Sequence, residues 1–360
     1  MATLPTPTLF PIVPCHRDTA RQTPAPPEQA GERVGIARLA ALSPLAEAKR
    51  GAEYFLLPAR SIVNRCDSER VPFPWTINPY RGCEFGCLYC YARYTHEYME
   101  LDGGEFEKKI FVKQNAGKLA ARELRSIAAR GEHIAIGTAT DPYQPAEGEF
   151  GVTREILEEM SRYDGLSVSI TTKSNRVTRD LDLLQRIASR SDLTVNLTIT
   201  TPRPRLARLL EPRAPRPDLR FEAVRALREG GIDAGVFAMP VLPGITDREE
   251  DLERLVFLAR EAGAQWFAAN VLFLMPSSRK QFLPFLEKKF PRLARRYHQW
   301  YARAGYAPEA YRREIGERIG NLRRKYGLAA RPVPRAPRGA PPAQQLDLGL
   351  AGAGCGGKKS

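Results

Sequence analysis

The chain has 360 residues, a hydrophobic fraction of 43% and a formal net charge of +14 at pH 7. This length is enough for one large α/β domain or two ordinary domains, and the hydrophobic fraction is typical of folded proteins. The N-terminus shows no secretory pattern, and no apolar run approaches the roughly 20 residues that cross a bilayer. We therefore expect a cytoplasmic protein, with no membrane partner, whose cysteines stay reduced.

In chain order, residues 1–45 are rich in Pro, Ala and Thr without a sustained period, which predicts a disordered tail. Residues 46–275 then alternate strand-like and helix-like segments and form the predicted core. One helix is predicted over 115–131, with Asn115 as its N-cap and Gly131 at its end. Six near-continuous apolar segments predict strands: WTINPY, HIAIGTA, LSVSITT, LTVNLTIT, IDAGVFAMPVL and WFAANVLFLM.

Strands of this kind, separated by helices, predict a parallel sheet that is covered by helices. Six units are too few for a closed eight-stranded barrel. The expected fold class is therefore α/β, a partial (β/α)6 TIM-like barrel with disordered N- and C-terminal tails. In such barrels the chemistry lies at the C-terminal ends of the strands. Polar segments do follow the strands here, namely TDPYQPAE, TKSN, PGITD and MPSSRKQ.

Residues 276–328 predict a basic helical segment. Between Arg279 and Lys325 there are 14 Lys and Arg residues and 4 Asp and Glu residues, a local balance of 14 − 4 = +10. Interleaved aromatic residues leave two interpretations open, a nucleic-acid-binding surface or amphipathic helices whose rings cover the core. These aromatic residues are Phe282, Phe285, Phe290, Tyr297, Trp300, Tyr301, Tyr306 and Tyr311. Residues 329–360 read as a second low-complexity tail.

The segment RGCEFGCLYCYAR places Cys83, Cys87 and Cys90 within eight positions. A structural zinc site needs four ligands, and His96 could supply the fourth on spacing alone. A disulfide framework is disfavoured by the compartment and by the crowding of the three thiols. The third possibility is a cubane iron–sulfur cluster that is held by three thiolates and keeps its fourth iron open. Cys66 stands apart and is interpreted as a structural cysteine.

The spacing C-x3-C-x2-C, with Tyr89 between the last two cysteines, resembles the signature of the radical S-adenosylmethionine (radical SAM) superfamily. This resemblance implies a 4Fe-4S cluster on the three cysteines and SAM bound at the open iron. It also implies that an electron from a reductant such as flavodoxin or ferredoxin cleaves SAM to a 5′-deoxyadenosyl radical. Tyr91, which follows the last cysteine, is a further catalytic candidate.

The same resemblance assigns SAM-binding roles to residues that follow the strands. Lys173 would pair with the SAM carboxylate, although an ordinary lysine at the rim remains an alternative. The segment PVLPGITD resembles the family's fifth-strand element, or equally a helix start that is capped by Thr246. The SAM-binding candidates are Tyr89, Thr138, Thr140, Asp141, Lys173, Ser174, Thr198, Leu242 and Gly244, with Asn270 as a weaker one.

Within the superfamily, residues 60–325 most closely resemble the spore photoproduct lyase-like group, through NPYRGCEFGCLYCYAR, TDPYQPAE, TKS and LEPRAPRP. Thr138 stands where the lyase has a hydrogen-donating cysteine, so the hydrogen donor stays open, with Tyr91 or Tyr143 as possible relays. The implied substrate is nucleic acid, in the manner of DNA repair. A protein or small-molecule substrate and a non-enzymatic metal-binding module remain alternatives. A lateral mouth lined by arginines would admit the substrate: Arg203, Arg205, Arg213 and Arg216.

One partner is implied by the C-terminal tail. The segment QLDLGL at 345–350 resembles the short peptide by which bacterial DNA polymerases and repair proteins bind the sliding clamp. Gln345 would make polar contacts, while Leu346, Leu348 and Leu350 would fill an apolar groove. A chance leucine-rich tail is the alternative.

Overall fold

The computed structural model describes residues 33–49, 51–67, 71–302 and 304–330. The strands are β1 (Leu45–Lys49), β2 (Ala52–Leu57), β3 (Val63–Arg65), β4 (Trp75–Ile77), β5 (Tyr80–Arg81), β6 (Lys109–Lys113), β7 (His133–Ile136), β8 (Ser167–Thr172), β9 (Asp192–Thr198), β10 (Asp233–Val241) and β11 (Phe267–Val271). The helices are α1 (Gly35–Leu42), α2 (Tyr94–Glu97), α3 (Ala116–Arg130), α4 (Glu147–Phe150), α5 (Val152–Met160), α6 (Leu181–Ala188), α7 (Pro204–Leu210), α8 (Pro217–Glu229), α9 (Glu249–Glu261), α10 (Pro276–Lys289), α11 (Pro291–Tyr301) and α12 (Glu309–Tyr326).

The main sheet contains seven strands in the order β11-β10-β9-β8-β7-β4-β3. Six of them, β4 and β7 to β11, run parallel, and β3 pairs antiparallel with β4 at one edge. The parallel strands follow one another in chain order, as they do in a barrel that does not close, whereas a doubly wound sheet reverses its order at a switch point. The predicted partial (β/α)6 barrel is therefore confirmed.

The strands divide their side chains between two faces. In β9, Val195 and Leu197 belong to the main apolar core, whereas Asn196 accepts a hydrogen bond of 2.9 Å from the Trp266 indole on the opposite face. Thr198, at the end of the same strand, faces a cavity. This alternation follows from the two-residue period of a strand, and it leaves the inner face of the sheet polar at its C-terminal end.

A four-stranded sheet in the order β1-β2-β6-β5, which the sequence analysis did not predict, holds the start of the cysteine segment. Tyr80 and Arg81 of β5 pair with β6, and the Cys83 N–H donates to the Phe106 carbonyl at 3.0 Å. The Tyr54 hydroxyl of β2 donates to the Glu84 carboxylate at 2.8 Å. The segment that carries the cysteines is therefore fixed from a second sheet.

The predicted boundaries of the two tails need correction. Residues 35–42, within the predicted N-terminal tail of 1–45, form α1, and β1 begins at Leu45. In the predicted C-terminal tail of 329–360, Ala329 instead bonds to the main sheet through its N–H and carbonyl groups. Residues 1–32 and 331–360, with the QLDLGL segment, lie outside the described residues. Asn115 occupies the N-cap position of α3 with φ 57°, but its side chain makes no capping hydrogen bond, so its predicted role is wrong. Gly131 ends the helix as predicted.

The helical segment that begins with α10 at Pro276 packs on the barrel. Phe282, Tyr297 and Tyr301 are fully buried, and Trp300 lies against Tyr311 with ring centroids 4.9 Å apart. These contacts favour the second interpretation, in which the rings cover the core, and they remove these three buried side chains as stacking platforms. Within the described part of the chain, no helix combines the length and apolar character that crossing a membrane requires.

Candidate active site

A cavity opens on the inner face of the main sheet, where the parallel strands end. The three cysteines line it together with side chains that follow β7 and β8 and side chains near the C-terminal ends of β9, β10 and β11. Its apolar walls are Phe237, Met239, Pro240 and Phe273. The cavity therefore combines thiols, polar groups and apolar surface at the edge where this fold places its chemistry.

The cysteine loop, which we define as residues 81–93, is held from inside by Arg93. This side chain is completely buried and donates to the Cys87 carbonyl at 3.2 Å and to the Gly103 carbonyl at 2.9 Å. It also forms an ion pair of 2.6 Å with Glu107. A buried guanidinium with these partners fixes the loop backbone, so the positions of the thiols are set before any ligand arrives.

The loop that follows β7 is tied to the cysteine loop. The Thr140 hydroxyl donates to the Gly82 carbonyl at 2.6 Å. The Asp141 carboxylate accepts hydrogen bonds from the Thr172 hydroxyl at 2.6 Å and from the Lys173 N–H at 2.7 Å. Burial raises the pKa of Asp141 in spite of these donors. Asp141 therefore joins the ends of β7 and β8 at the cavity wall.

A buried charge network lies behind the cavity. Glu211 accepts hydrogen bonds from Tyr89, Thr200 and Arg220, and Arg220 also donates to the Thr198 carbonyl at 2.9 Å. Burial alone would raise the pKa of Glu211, but Arg220, Lys173 and the Tyr89 hydroxyl hold it below its ordinary value. The network thereby fixes the Tyr89 ring through a carboxylate that stays ionised.

Lys173 lies between this network and the thiols. Its ammonium group is 5.9 Å from the centroid of the Tyr89 ring. Burial lowers the pKa of Lys173, but the negative charges of the Cys87 thiolate and the Glu211 carboxylate outweigh that effect and hold it above its ordinary value. A charged lysine is therefore stable at the cavity wall, where it can pair with an anionic group of a ligand.

Comparisons with known proteins agree with this geometry. A family model described as the radical SAM superfamily matches residues 77–256. An uncharacterised protein of Mycobacterium tuberculosis is 35% identical over 307 residues, which cover 84% of this chain and 89% of that protein. The chain belongs to the radical SAM superfamily. An uncharacterised protein of Methanocaldococcus jannaschii is 30% identical over 217 residues, which cover 60% of this chain and 76% of that protein.

Solved structures show the same fold. Spore photoproduct lyase with bound AdoMet and dinucleoside spore photoproduct matches with a TM-score of 0.59 and 15% identity, over 86% of this chain and 85% of that chain. Its complex with dinucleoside spore photoproduct matches with a TM-score of 0.58 and 15% identity, over 83% and 84% of the two chains. At these identities the likeness shows the fold of a radical SAM protein.

Radical SAM proteins use a 4Fe-4S cluster and SAM, and the donor set of the cavity fits the cluster. Burial raises the pKa of all three thiols, that of Cys87 to about 12, so the thiols keep their protons unless a metal displaces them. Among the described residues no three His, Cys, Asp or Glu side chains are arranged to hold one metal ion. A cubane does not need that arrangement, because each thiolate binds a different iron.

The alternative, a zinc site formed by the three cysteines and His96, is not supported by the position of His96. This side chain is fully buried, and its Nε2 atom lies 3.0 Å from the Lys109 carbonyl. It packs between Phe106 and Phe111 and does not line the cavity. Burial lowers the pKa of His96 to about 4. Cys66, whose N–H donates to the Pro74 carbonyl, also lies outside the cavity.

Most of the predicted site residues meet in one place. The cavity is lined by Cys83, Cys87, Tyr89, Cys90, Tyr91, Thr138, Thr140, Asp141, Lys173, Thr198 and Asn270. Ser174 and Tyr143 lie outside it and line a neighbouring cleft. Leu242 is buried in the apolar cluster under the cysteine loop, and a Cβ atom on Gly244 would lie 2.9 Å from the Leu293 side chain. Leu242 and Gly244 therefore pack against the protein, because the chain turns away from the cavity after Pro240.

Sequence reasoning missed several residues that position this site. Asn78 donates to the Thr138 hydroxyl at 2.9 Å and accepts from the Ala139 N–H at 2.7 Å. Gln144 donates to the Gly82 carbonyl at 3.1 Å and accepts from the Glu84 N–H at 3.0 Å. Both residues belong to the motifs that carry the cysteine spacing and the polar loop after β7, NPYRGC and TDPYQPAE. Their polar character within otherwise buried segments is the signal that could have identified them.

Proposed function

We propose that this protein is an enzyme that binds a 4Fe-4S cluster through the three cysteines and uses SAM to start radical chemistry on nucleic acid. The observation that carries the proposal is that Cys83, Cys87 and Cys90 share one cavity with Lys173 and Thr140. When bound, the cluster and SAM supply a 5′-deoxyadenosyl radical. The protein supplies the binding, the orientation and the exclusion of water.

Each part of the cavity has a role in this proposal. Lys173 pairs with the SAM carboxylate, since its charge is stabilised within the wall. Thr140 keeps the loop after β7 against the cysteine loop, and Asp141 ties that loop to the end of β8, so that SAM meets backbone groups in fixed positions. The apolar side chains of Phe237 and Met239 exclude water from the reacting carbon, which would otherwise lose the radical to side reactions.

The hydrogen donor differs from that of the lyase resemblance. Thr138 cannot donate a hydrogen atom as a thiol does, and the Thr138 hydroxyl is already held by Asn78. Tyr91 lines the cavity, and its hydroxyl donates to the Thr138 carbonyl. We assign the relay role to Tyr91 rather than to Tyr143, which faces the neighbouring cleft. The reaction is therefore expected to differ from that of spore photoproduct lyase in its hydrogen transfer.

Nucleic acid is the favoured substrate because two observations support it. The chain carries a net charge of +14, which favours a polyanionic partner. The matching lyase structures bind a dinucleoside spore photoproduct. On this proposal one nucleotide leaves the stack to enter the cavity. A flavodoxin or ferredoxin supplies the electron, and the QLDLGL segment binds the sliding clamp; these two partners rest on the sequence alone.

The test is anaerobic reconstitution followed by a 5′-deoxyadenosine assay with dithionite. We expect a brown protein that cleaves SAM, with faster cleavage on ultraviolet-irradiated DNA than on undamaged DNA. Cys90→Ala is expected to lose both the colour and the cleavage, whereas the matched control Cys66→Ala keeps both. Cleavage that no nucleic acid accelerates would contradict the substrate, and a colourless wild-type protein would contradict the enzyme.

A further inference from the structure

A second cleft, with a volume of about 580 Å³, lies at the same edge of the main sheet. It is formed by the loops that follow β7, β8 and β9. Phe85 of the cysteine loop lines both this cleft and the cysteine cavity. The loop after β8 also divides between them, since Lys173 faces the cavity whereas Ser174 and Asn175 face the cleft. The two concave surfaces are therefore neighbours.

The cleft is lined by four arginines, Arg176, Arg208, Arg213 and Arg216, and among the described residues no Asp or Glu lines it. We call it the arginine cleft. Arg216 is compensated by an ion pair with Asp218. The remaining three have no carboxylate within ion-pair distance in the described part of the chain. Arg208 and Arg213 donate only to backbone carbonyls, at 2.6 Å for Arg208 and at 3.3 and 3.4 Å for Arg213.

Three guanidinium groups without an acidic partner repel one another, and a bound anion removes that cost. Guanidinium groups match phosphate oxygens in bidentate geometry, and the Asn175 amide adds a further donor. Phe85, Leu219 and Pro215 add apolar surface to the lining of the cleft. This combination of apolar and cationic lining fits a nucleotide strand, whose sugars and bases present apolar surface while its phosphates carry charge.

We propose that the arginine cleft binds phosphodiester groups of the nucleic acid strand whose reacting nucleotide enters the cysteine cavity. The inference rests on the proposed function for its substrate class, and it assigns the residues that hold the strand. An acidic protein would also be attracted by the same charge. The size of the cleft favours a strand, because stable protein partners need contact surfaces of about 800 Å² per partner, far more than one concave site offers.

The test compares two double variants that each lose two charges. Arg176→Gln with Arg208→Gln removes two exposed arginines of the cleft, and Arg125→Gln with Arg260→Gln removes two exposed arginines of α3 and α9. Each protein is titrated with a fluorescent twelve-nucleotide thymidine strand across a salt series. Each phosphate contact to a single strand contributes about 0.7 to the slope of log affinity against log salt.

We expect the slope of log affinity against log salt to be smaller by about 1.4 in the cleft variant than in the wild type. Its affinity at 0.1 M salt is expected to fall on the order of tenfold, whereas the control variant keeps the wild-type slope. Equal slopes for the wild type and both variants would overturn the cleft assignment and leave the proposed substrate intact. Failure of the wild type to bind the strand would overturn both. Loss of flavodoxin binding in the cleft variant, with strand binding unchanged, would reassign the cleft to an acidic protein.

SAM cleavage separates this inference from the enzyme itself. With dithionite and without nucleic acid, the cleft variant is expected to cleave SAM at the wild-type rate, because neither arginine lines the cysteine cavity. A cleft variant that has lost this basal cleavage would show that the two arginines support the cavity, and it would overturn their assignment to the strand.

Discussion

Glu211 connects three parts of the active site through one carboxylate. The Glu211 carboxylate accepts a hydrogen bond from the Tyr89 hydroxyl and forms an ion pair with Arg220. The side chains of Glu211 and Arg220 are each at most 1% exposed. A buried charge that loses its partner is strongly destabilising, whereas an exposed pair contributes little. The network is therefore a positioning device, which orients Tyr89 and stabilises the charge of Lys173 without touching the ligand.

We predict that Glu211→Gln lowers the free energy of unfolding by about 3 kcal/mol, because Arg220 keeps its charge without a buried counterion. The measurement is urea denaturation at pH 7. Asp164→Asn is the matched control, since Asp164 pairs with Arg190 at the surface with exposures of 69% and 46%. We expect the control to lose much less, because an exposed ion pair contributes little to stability. Equal losses in the two variants would show that the buried ion pair contributes no more to stability than the exposed one.

Lys113 of β6 provides a test of stability against pH. Burial lowers its pKa to about 7, Arg81 lowers it further and Glu123 opposes both. Between pH 7 and about 10 the unfolded chain binds a proton that the folded protein does not, so this group adds stability as the pH rises. Below pH 7 both states carry the charge, and the folded protein bears the full cost of burying it.

Lys113→Met is therefore predicted to be more stable than the wild type at pH 7, by an amount that shrinks at pH 8 and 9. Urea denaturation at the three pH values measures this gain. Lys108→Met is the control, because Lys108 is exposed and lies close to the same strand. A gain that does not change with pH would show that the benefit comes from apolar packing and that the charge of Lys113 has no part in it.

The cysteine loop depends on two glycines with different surroundings. Gly82 has φ 86°, and a Cβ atom there would lie 2.6 Å from the Lys109 carbonyl and 2.8 Å from the Phe106 carbonyl. Gly86 has φ 62°, and the nearest atom to its Cβ position is 3.5 Å away, an ordinary contact. Gly82 therefore permits a close approach between the loop and β6, whereas Gly86 only needs the left-handed conformation.

Asparagine tolerates the left-handed conformation, so it separates these two requirements. We predict that Gly82→Asn displaces Cys83 and lowers the iron content after anaerobic reconstitution at least fivefold. Gly86→Asn, in the same loop, is expected to keep the wild-type iron content. The measurement is iron and sulfide per chain together with the absorbance near 400 nm. Full iron loading of the Gly82→Asn protein would show that the close approach is dispensable.

At the scale of elements, the sequence predicted the strands and motifs whose pattern lies within consecutive residues. The six parallel strands were identified because each is a continuous apolar run, and the cysteine spacing identified the site because it is contiguous in the chain. The second sheet was missed because its pairing joins β2 and β6, which are far apart in sequence. Glu211 was missed for the same reason, since its partner Tyr89 lies 122 positions away. Leu242 was placed in the site although the chain turns into the protein interior after Pro240.

At the scale of the whole molecule, the end of the described chain joins α12 to the main sheet. The Phe267 N–H donates to the Ala329 carbonyl, and the Ala329 N–H donates to the Gln265 carbonyl, each at 3.0 Å. Leu328 belongs to the main apolar core and is 8% exposed. The edge strand β11 is therefore covered by the segment that follows α12, which protects it from pairing with other chains.

Shortening the chain tests whether this segment stabilises the barrel. A chain that ends after Tyr326 loses four backbone hydrogen bonds, two that join Ala329 to the main sheet and two that close the end of α12, together with one buried leucine. This loss predicts a decrease of about 3 kcal/mol in the free energy of unfolding. A chain that ends after Ala330 keeps these contacts and serves as the control. Urea denaturation measures all three proteins. If the chain that ends after Tyr326 were as stable as the control, residues 327–330 would cover the sheet edge without stabilising the barrel. The only effect of removing them would then be an exposed β11, and we would expect the shortened chain to associate in a concentration-dependent way.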